Sequence, residues 1–202
     1  MVMSVVQELE NSRLEELRRM VRDSHCTATQ LSHALSQLFR VKPTEVGLLI
    51  RHEYFLRFLY PVELQAAGSL PLSGISIAAR TATNRKADLF NNFVRIPHRS
   101  IFETIKLRDG ETPLPIQKLM SAPVFGSNGD VVGVVQVSRK GETPRAAGVD
   151  FSRIDLQILL EAAEVISPYV TKFYRPQPAL SESAKPRSER GSGVGVASEA
   201  AS

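Results

Sequence analysis

The sequence of 202 residues has a single cysteine and no tryptophan, and each scarcity excludes a class of protein. Cys26 alone can form neither an intrachain disulfide nor a cysteine-rich metal site, which favours a reducing compartment. The aromatic share of 6% argues against a stacking platform for nucleic acid. The four histidines lack metal-ligand spacing, so the sequence predicts no metal centre.

Long apolar runs and a strong charge excess are also missing. No stretch approaches the roughly 20 apolar residues of a membrane-spanning helix. Glu8 and Glu10 precede any run long enough for a secretory signal. Lys and Arg outnumber Asp and Glu by only 25 to 21, and they are scattered. We therefore expect a cytoplasmic protein that binds neither nucleic acid nor membrane.

Helical and extended patterns alternate along the first half of the chain. Residues 4–24 predict a charged helix, and Thr27 with Gln30 predicts a capping box that opens a second one. The segments that follow predict, in order, two strands (EVGLLIRHEYFLRFLY), a short helix capped by Ser73 (SGISIAAR), a short strand (DLFNNF) and another short helix (PHRSIFETIK).

The segment SAPVFGSNGDVVGVVQVSRKG, residues 121–141, predicts a long β-hairpin. Its turn is marked by Asn128-Gly129, because both residue types accept a positive φ. The second arm, VVGVVQV, is β-branched on both faces, which indicates a central strand covered on both sides. Gly133 within it indicates a close approach by another backbone or a ligand.

A second capping box, Ser152 with Asp155, predicts a long last helix that carries two apolar stripes. One stripe is expected to pack on the sheet, and the other needs a cover. We expect a homodimer through the terminal helices. The alternative is that residues 4–24 fold back over residues 156–170 of the same chain. A narrow seam of coiled-coil spacing on the first helix also needs a partner: Leu14, Leu17 and Val21.

This order of elements resembles a GAF domain over residues 27–174. The most specific part is MSAPVFGSNGDVVGVVQVSRKG followed by DFSRIDLQILLEAAEVISPYV. It is similar to the family pattern of an apolar strand, a turn, GVLQL-x-N-K, a loop and F-x-x-x-D-E. The resemblance implies an α+β fold with an antiparallel sheet of five or six strands, terminal helices on one face and short helices with loops on the other. A PAS-type sheet, with a different place for the last helix, is the alternative.

Four residues align with the Asn-Lys…Phe…Asp-Glu signature of GAF domains that bind cyclic nucleotides: Arg139, Lys140, Phe151 and Asp155. Arg139 replaces the Asn and Leu156 replaces the final acid, which argues against cyclic-nucleotide binding. The signature is mainly structural in the family, so the resemblance implies a fold-stabilising ion pair between Asp155 and one of the two cations. A phosphate site is less favoured, because neither a glycine-rich loop nor a helix start follows directly.

The resemblance also implies a small-molecule site between the sheet and the short helices. Position along the chain gives these candidate lining residues: Ser73, Ile75, Asn91, Asn92, His98, Phe102 and Gln136. Apolar walls with a few amides suit a flat, neutral ring. Two alternatives stay open. Asn91 and Asn92 could instead satisfy backbone groups at a strand end, or the domain could be an empty, packed dimerisation scaffold.

The predicted function is a non-enzymatic sensory or regulatory module that signals through a partner protein, because no recognisable output segment follows residue 175. No Ser-His-Asp, P-loop or HExxH pattern is present. The enzyme alternative is a free methionine sulfoxide reductase. That reaction, like bilin attachment, needs a pocket cysteine that Cys26 does not supply. His98 is the one candidate ligand for a haem, and the sequence identifies no cofactor.

The predicted organisation has three parts. Residues 1–26 form an N-terminal charged helix, and residues 27–174 form the GAF domain. Residues 175–202 are rich in Pro, Ser, Gly, Ala and Glu, which predicts a disordered tail.

Overall fold

Ten helices and strands follow one another along the part of the chain that the computed structural model describes, residues 2–95 and 113–176. The helices are α1 (Val2–Arg22), α2 (Ala28–Phe39), α3 (Ile77–Asn84) and α4 (Arg153–Thr171). The strands are β1 (Val46–His52), β2 (Phe55–Tyr60), β3 (Leu70–Pro71), β4 (Asp88–Phe90), β5 (Ile116–Phe125) and β6 (Val131–Lys140). Short 3-10 turns lie at Pro43–Glu45, Val62–Ala67 and Phe93–Arg95.

The six strands form one antiparallel sheet in the order β3-β2-β1-β6-β5-β4. β6 lies between β1 and β5, as its β-branched sequence predicts for a strand that is covered on both faces. Helices pack on the sheet and the strand pairing is antiparallel, so the predicted α+β class with six strands is confirmed.

The turn between β5 and β6 is built around Asn128-Gly129, as predicted. Gly129 has a φ of +81°, which glycine adopts without steric cost. The Gly126 N–H donates to the Asp130 carbonyl at 2.8 Å, and the Asp130 N–H donates to Asn128 Oδ1 at 3.1 Å. These bonds close the hairpin and fix the register of its two strands.

Gly133 is the point at which β6 passes closest to its neighbours. A Cβ at this position would lie 2.7 Å from Val170 Cγ1 and would overlap the Leu49 carbonyl oxygen. The predicted close approach is therefore confirmed. The approaching groups belong to β1 and α4 of the same chain.

The three long helices cover one face of the sheet through a common cluster of buried apolar side chains, here called the terminal-helix core. Both α2 and α4 contribute to it, which is the arrangement that the GAF resemblance implies. The seam of α1 also lies in this core, and Leu156 and Leu160 of α4 pack partly buried against it. The buried seam residues are Leu14, Leu17 and Val21.

The fold-back of the first helix, which was the alternative to a dimer, is therefore what the structure shows. α1 packs against both α2 and α4, so it covers apolar surface of α4 that the sheet leaves open. A homodimer stays a prediction, but the apolar stripes of these helices no longer supply the reason for it.

The opposite face of the sheet is covered by α3 and the short turns. Their apolar side chains form a second cluster with the sheet, here called the α3-side core. Its members are Leu49, Leu56, Phe58, Leu64, Ile77, Ala78, Ala82, Phe93, Ile116, Leu119, Val131 and Val134. The described sheet thus has the two differently covered faces that the resemblance implies.

The start of α3 differs from the prediction. Ser76, not Ser73, is the N-cap residue, and its hydroxyl accepts from the Ala79 N–H at 3.1 Å. The helix consequently begins at Ile77, and Ile75 lies before it. Both serines can cap a helix, and the burial of Ile77 and Ala79 on the sheet selects the later start.

Two further element boundaries differ from the predicted ones. The predicted strand DLFNNF is shorter, because extended pairing ends at Phe90 and a 3-10 turn begins at Phe93. Arg175, predicted to begin the tail, pairs with β1: its N–H donates to the Arg51 carbonyl, and its own carbonyl accepts from the Glu53 N–H at 2.9 Å. Residues 177–202 and the predicted helix PHRSIFETIK lie outside the described residues.

Leu17→Ala should destabilise the domain by about 2–5 kcal/mol, because it empties a position that is 1% exposed in the terminal-helix core. The exposed neighbour Glu16→Ala should change the free energy of unfolding by no more than about 0.5 kcal/mol. Urea unfolding of the two variants beside wild type measures the difference. Equal stabilities would contradict the packing of α1 on its own chain.

Candidate functional site

The α3 side of the sheet carries three buried polar side chains within its apolar layer, here called the polar trio. They are Thr81 of α3, Ser121 of β5 and Gln136 of β6, with exposures of 0%, 0% and 8%. The Thr81 and Ser121 hydroxyl oxygens lie 2.7 Å apart, and Gln136 Nε2 donates to Ser121 Oγ at 3.1 Å. The trio therefore joins α3 to the two longest strands.

The register of the hairpin and the cap of α3 position these side chains. Ser121 and Gln136 are cross-strand partners, so they project from the same face. Their neighbours Met120 and Val137 project to the other face and lie in the terminal-helix core. Thr81 reaches the pair because α3 packs its buried side against the sheet.

Gln136 retains unused hydrogen-bonding capacity. A glutamine amide offers two N–H donors and one carbonyl acceptor. Its bond to Ser121 uses one N–H, and no donor to Oε1 is present among residues 2–95 and 113–176. The apolar side chains of the α3-side core carry no charge. This arrangement presents the Gln136 carbonyl, beside apolar side chains, as a hydrogen-bond acceptor.

Of the seven predicted lining residues, Gln136 is the one that the described structure places in the trio. Ser73, Ile75 and Asn92 are all exposed, and Ile75 is 65% exposed ahead of α3. His98 and Phe102 lie outside the described residues. Their predicted roles in ligand or haem binding stay predictions.

The side-chain amide of Asn91 hydrogen-bonds to the backbone of Phe151. Its Nδ2 donates to the Phe151 carbonyl and its Oδ1 accepts from the Phe151 N–H, each at 2.9 Å. Both polar groups of the amide are thereby used, and the bonds tie the end of β4 to the residue before the α4 cap. For Asn91, the structure shows the backbone role that the sequence left open as an alternative.

Sequence reasoning missed Thr81 and Ser121. Each is a small hydroxyl residue in an apolar segment, and such residues are common for structural reasons alone. A signal for Ser121 was present, because it shares a face with Gln136 once the Asn-Gly turn sets the hairpin register. Thr81 gave no comparable signal, since its partner lies 40 positions away.

The resemblance implies an ion pair between Asp155 and one of the two cations. The contacts of these residues are different ones. The Asp155 carboxylate accepts the Ser152 N–H at 2.6 Å and hydroxyl at 2.7 Å, which completes the predicted capping box. The Arg139 guanidinium lies 4.6 Å from the centre of the Phe151 ring and donates to the Phe39 carbonyl at 3.3 Å. Lys140 Nζ donates to the Thr44 carbonyl at 3.1 Å.

Cys26 lies on the other side of the sheet from the polar trio. It packs partly buried against the terminal-helix core. Burial raises the pKa of its thiol, the Asp23 carboxylate raises it further, and Lys172 acts in the opposite direction. A raised pKa lowers the thiolate fraction at neutral pH, and the thiolate is the reactive form.

Within residues 2–95 and 113–176, no three His, Cys, Asp or Glu side chains are grouped closely enough to hold a metal ion. In the same ranges, no helix has the length and apolar content needed to cross a bilayer.

Comparison with known families identifies this architecture. The model of the GAF domain family matches residues 7–168, which is most of the chain. The chain therefore belongs to the GAF domain family, which supports a sensory or regulatory role in general terms. The match begins inside α1, in agreement with the packing of that helix in the terminal-helix core. No curated protein matches the chain in sequence.

Solved structures with similar folds include both regulatory domains and enzymes. The GAF domain of a phosphoenolpyruvate-protein phosphotransferase from Acinetobacter is similar, with a TM-score of 0.59 and 15% identity, over 81% of this chain and 93% of that one. The corresponding domain from Coxiella burnetii has a TM-score of 0.60 and 9% identity, over 81% and 93%. Free methionine-R-sulfoxide reductase from Neisseria meningitidis, in complex with its substrate, has a TM-score of 0.58 and 15% identity, over 82% and 92%.

Asn91→Ala should lower the free energy of unfolding by about 1–3 kcal/mol, because it leaves the Phe151 N–H and carbonyl without their partner. Asn92→Ala is the matched control: the side chain is exposed, and the change should cost no more than about 0.5 kcal/mol. Chemical denaturation measures both. A loss of the same size in the two variants would argue against the backbone role of Asn91.

Proposed function

We propose that this GAF domain is a non-enzymatic regulatory module that binds a small neutral molecule on the α3 side of its sheet and signals to a partner protein. The observation that carries the proposal is the buried polar trio. A hydroxyl pair and an amide inside an apolar layer resemble the lining of a small-molecule site, where a few polar groups orient a ligand among apolar walls.

The ligand class follows from the charge of the lining. The trio and the α3-side core contain no ionised side chain, so a charged metabolite would lose its hydration without gaining a counter-charge. A flat, neutral ring with an N–H or O–H donor fits the unused carbonyl of Gln136. The ring would lie against apolar side chains of the same layer.

Strands β5 and β6 connect the polar trio to the terminal helices. Ser121 and Gln136 lie on β5 and β6, and the opposite face of these strands packs against α4. Because Gly133 leaves no space between β6 and Val170, a shift of β6 would be transmitted to α4. We infer that a partner protein reads the position of the terminal helices. A cytoplasmic location and a homodimer remain further predictions.

Replacement of Gln136 tests the site. Native mass spectrometry of the full chain purified from its own host should show a bound small molecule on the wild type. Gln136→Met keeps the approximate size but removes the amide, and it should reduce the bound fraction by about tenfold. Gln117→Met is the control: Gln117 is equally buried on β5, but its amide donates to the Gly141 carbonyl at 2.8 Å.

Two results would contradict this reading. A wild-type protein that carries no adduct would favour the dimerisation scaffold without a ligand. An adduct that persists in Gln136→Met would place the ligand elsewhere. Thermal unfolding of each variant shows whether the domain is still folded.

The enzyme alternative is a reductase of free methionine sulfoxide, which the similarity to the Neisseria structure motivates. We expect no turnover of free methionine sulfoxide with thioredoxin, because Cys26 has a raised pKa and packs on the terminal-helix side. A turnover assay of wild type and Cys26→Ser measures this. Activity in the wild type that Cys26→Ser abolishes would support the enzyme and contradict the proposed function.

A further inference from the structure

At the edge of the terminal-helix face, two cations stand directly opposite each other, one of them buried and the other half-buried. Lys118 of β5 and Arg139 of β6 are cross-strand partners, so their side chains project from the same face. Lys118 is 3% exposed, and the Nε of Arg139 is also buried. Like charges at directly opposite positions destabilise a sheet, and burial increases the cost.

The anions of residues 2–95 and 113–176 do not balance this pair. Lys118 Nζ contacts Asp150 Oδ1 at 2.7 Å and donates to the Gly148 carbonyl. The Asp150 side chain is 68% exposed, so water screens the pair. Arg139 donates to the Phe39 carbonyl, while its Nε has no hydrogen-bond partner. In the part of the chain that the structure describes, one exposed carboxylate therefore lies against the two opposed cations.

A cleft of about 520 Å³ opens beside these groups. It lies between β5 and the loop that leads into α4, and Lys118 forms part of its wall. Arg145 also lines it, and no carboxylate of residues 2–95 or 113–176 pairs with this guanidinium. Arg139 Nη1 lies 3.9 Å from the position that a Cβ on Gly148, another wall residue, would take. The lining is Lys118, Pro144, Arg145, Gly148, Val149 and Asp150.

We propose that this cleft binds an oxyanion, the phosphate or carboxylate group of a small molecule, between Lys118, Arg145 and the edge of Arg139. An anion there would offset the positive charge of the opposed Lys118 and Arg139. It would also lie near the N-terminal end of α4, where the helix dipole favours negative charge. The Asp150 carboxylate competes with the ligand for Lys118.

A purely structural role for the Lys118–Asp150 pair accounts for fewer of these observations than an oxyanion site does. Such a pair would fasten the loop to β5, but it would leave the place of Arg145 in the wall and the opposition of Lys118 and Arg139 without an explanation. The site is independent of the polar trio, which lies on the other face of the same strands, so either proposal can fail without the other.

Thermal unfolding of the full chain in inorganic phosphate, at constant ionic strength against chloride, tests the site. The melting temperature should rise with phosphate and reach saturation, and the dissociation constant follows from the titration. Arg145→Gln should weaken phosphate binding by about tenfold, because it removes one charged donor. Lys86→Gln removes an exposed cation that follows α3 and does not line the cleft, and it should leave binding unchanged.

Asp150→Asn separates the oxyanion site from a structural pair. If Asp150 competes with the ligand, its neutralisation should tighten phosphate binding by about threefold. Weaker binding in Asp150→Asn would overturn the proposal. So would equal losses in Arg145→Gln and Lys86→Gln, or the absence of a saturable effect up to about 20 mM phosphate.

A parallel titration with phenyl phosphate distinguishes the sources of the anion. Tighter binding than inorganic phosphate supports an organic phosphate whose body occupies the cleft. Equal or weaker binding supports the free ion. Both results require the same loss in Arg145→Gln.

Discussion

The pairing of β5 with β6 is the constraint on which the rest of the structure depends. The strands run antiparallel from Ile116 opposite Lys140 to Phe125 opposite Val131, and the Asn-Gly turn closes them. This register places Ser121 beside Gln136 on one face and Lys118 beside Arg139 on the other. A slip of one residue would send each side chain to the wrong face.

The two faces of this hairpin are used differently. On the α3 side, neutral polar groups bond to one another inside an apolar layer. On the terminal-helix side, apolar side chains fill the layer, and the cations stand at its edge, where the loop before α4 begins. Interior charge is tolerated only with partners, so the charged positions lie at the strand ends and the neutral ones at the centre.

Phe151 joins the loop, the sheet and the last helix. Its backbone is held by Asn91, its ring lies under Arg139, and the next residue caps α4. The aligned signature thus has a structural role, as the family resemblance implies, but through a stacked arginine. Arg139 can stack on an aromatic ring because its guanidinium is planar and weakly hydrated.

The sequence by itself determined the local features. The capping boxes of α2 and α4, the Asn-Gly turn and the central position of β6 follow from residue types at short spacing, because the groups that interact are close along the chain. The family resemblance gave the layers of the fold. The predicted cap of α3 at Ser73 was wrong, because Ser76, three residues later, can supply the same hydrogen bond.

Tertiary structure alone decided which distant groups meet. Thr81 meets Ser121, Asn91 meets the backbone of Phe151, and Lys118 faces Arg139 only after the sheet is assembled. The position of α1 was decided in the same way. The apolar seam of α1 can pack against a second chain or against its own chain. Which of the two it contacts depends on where α4 leaves apolar surface uncovered, and a local sequence pattern does not contain that information.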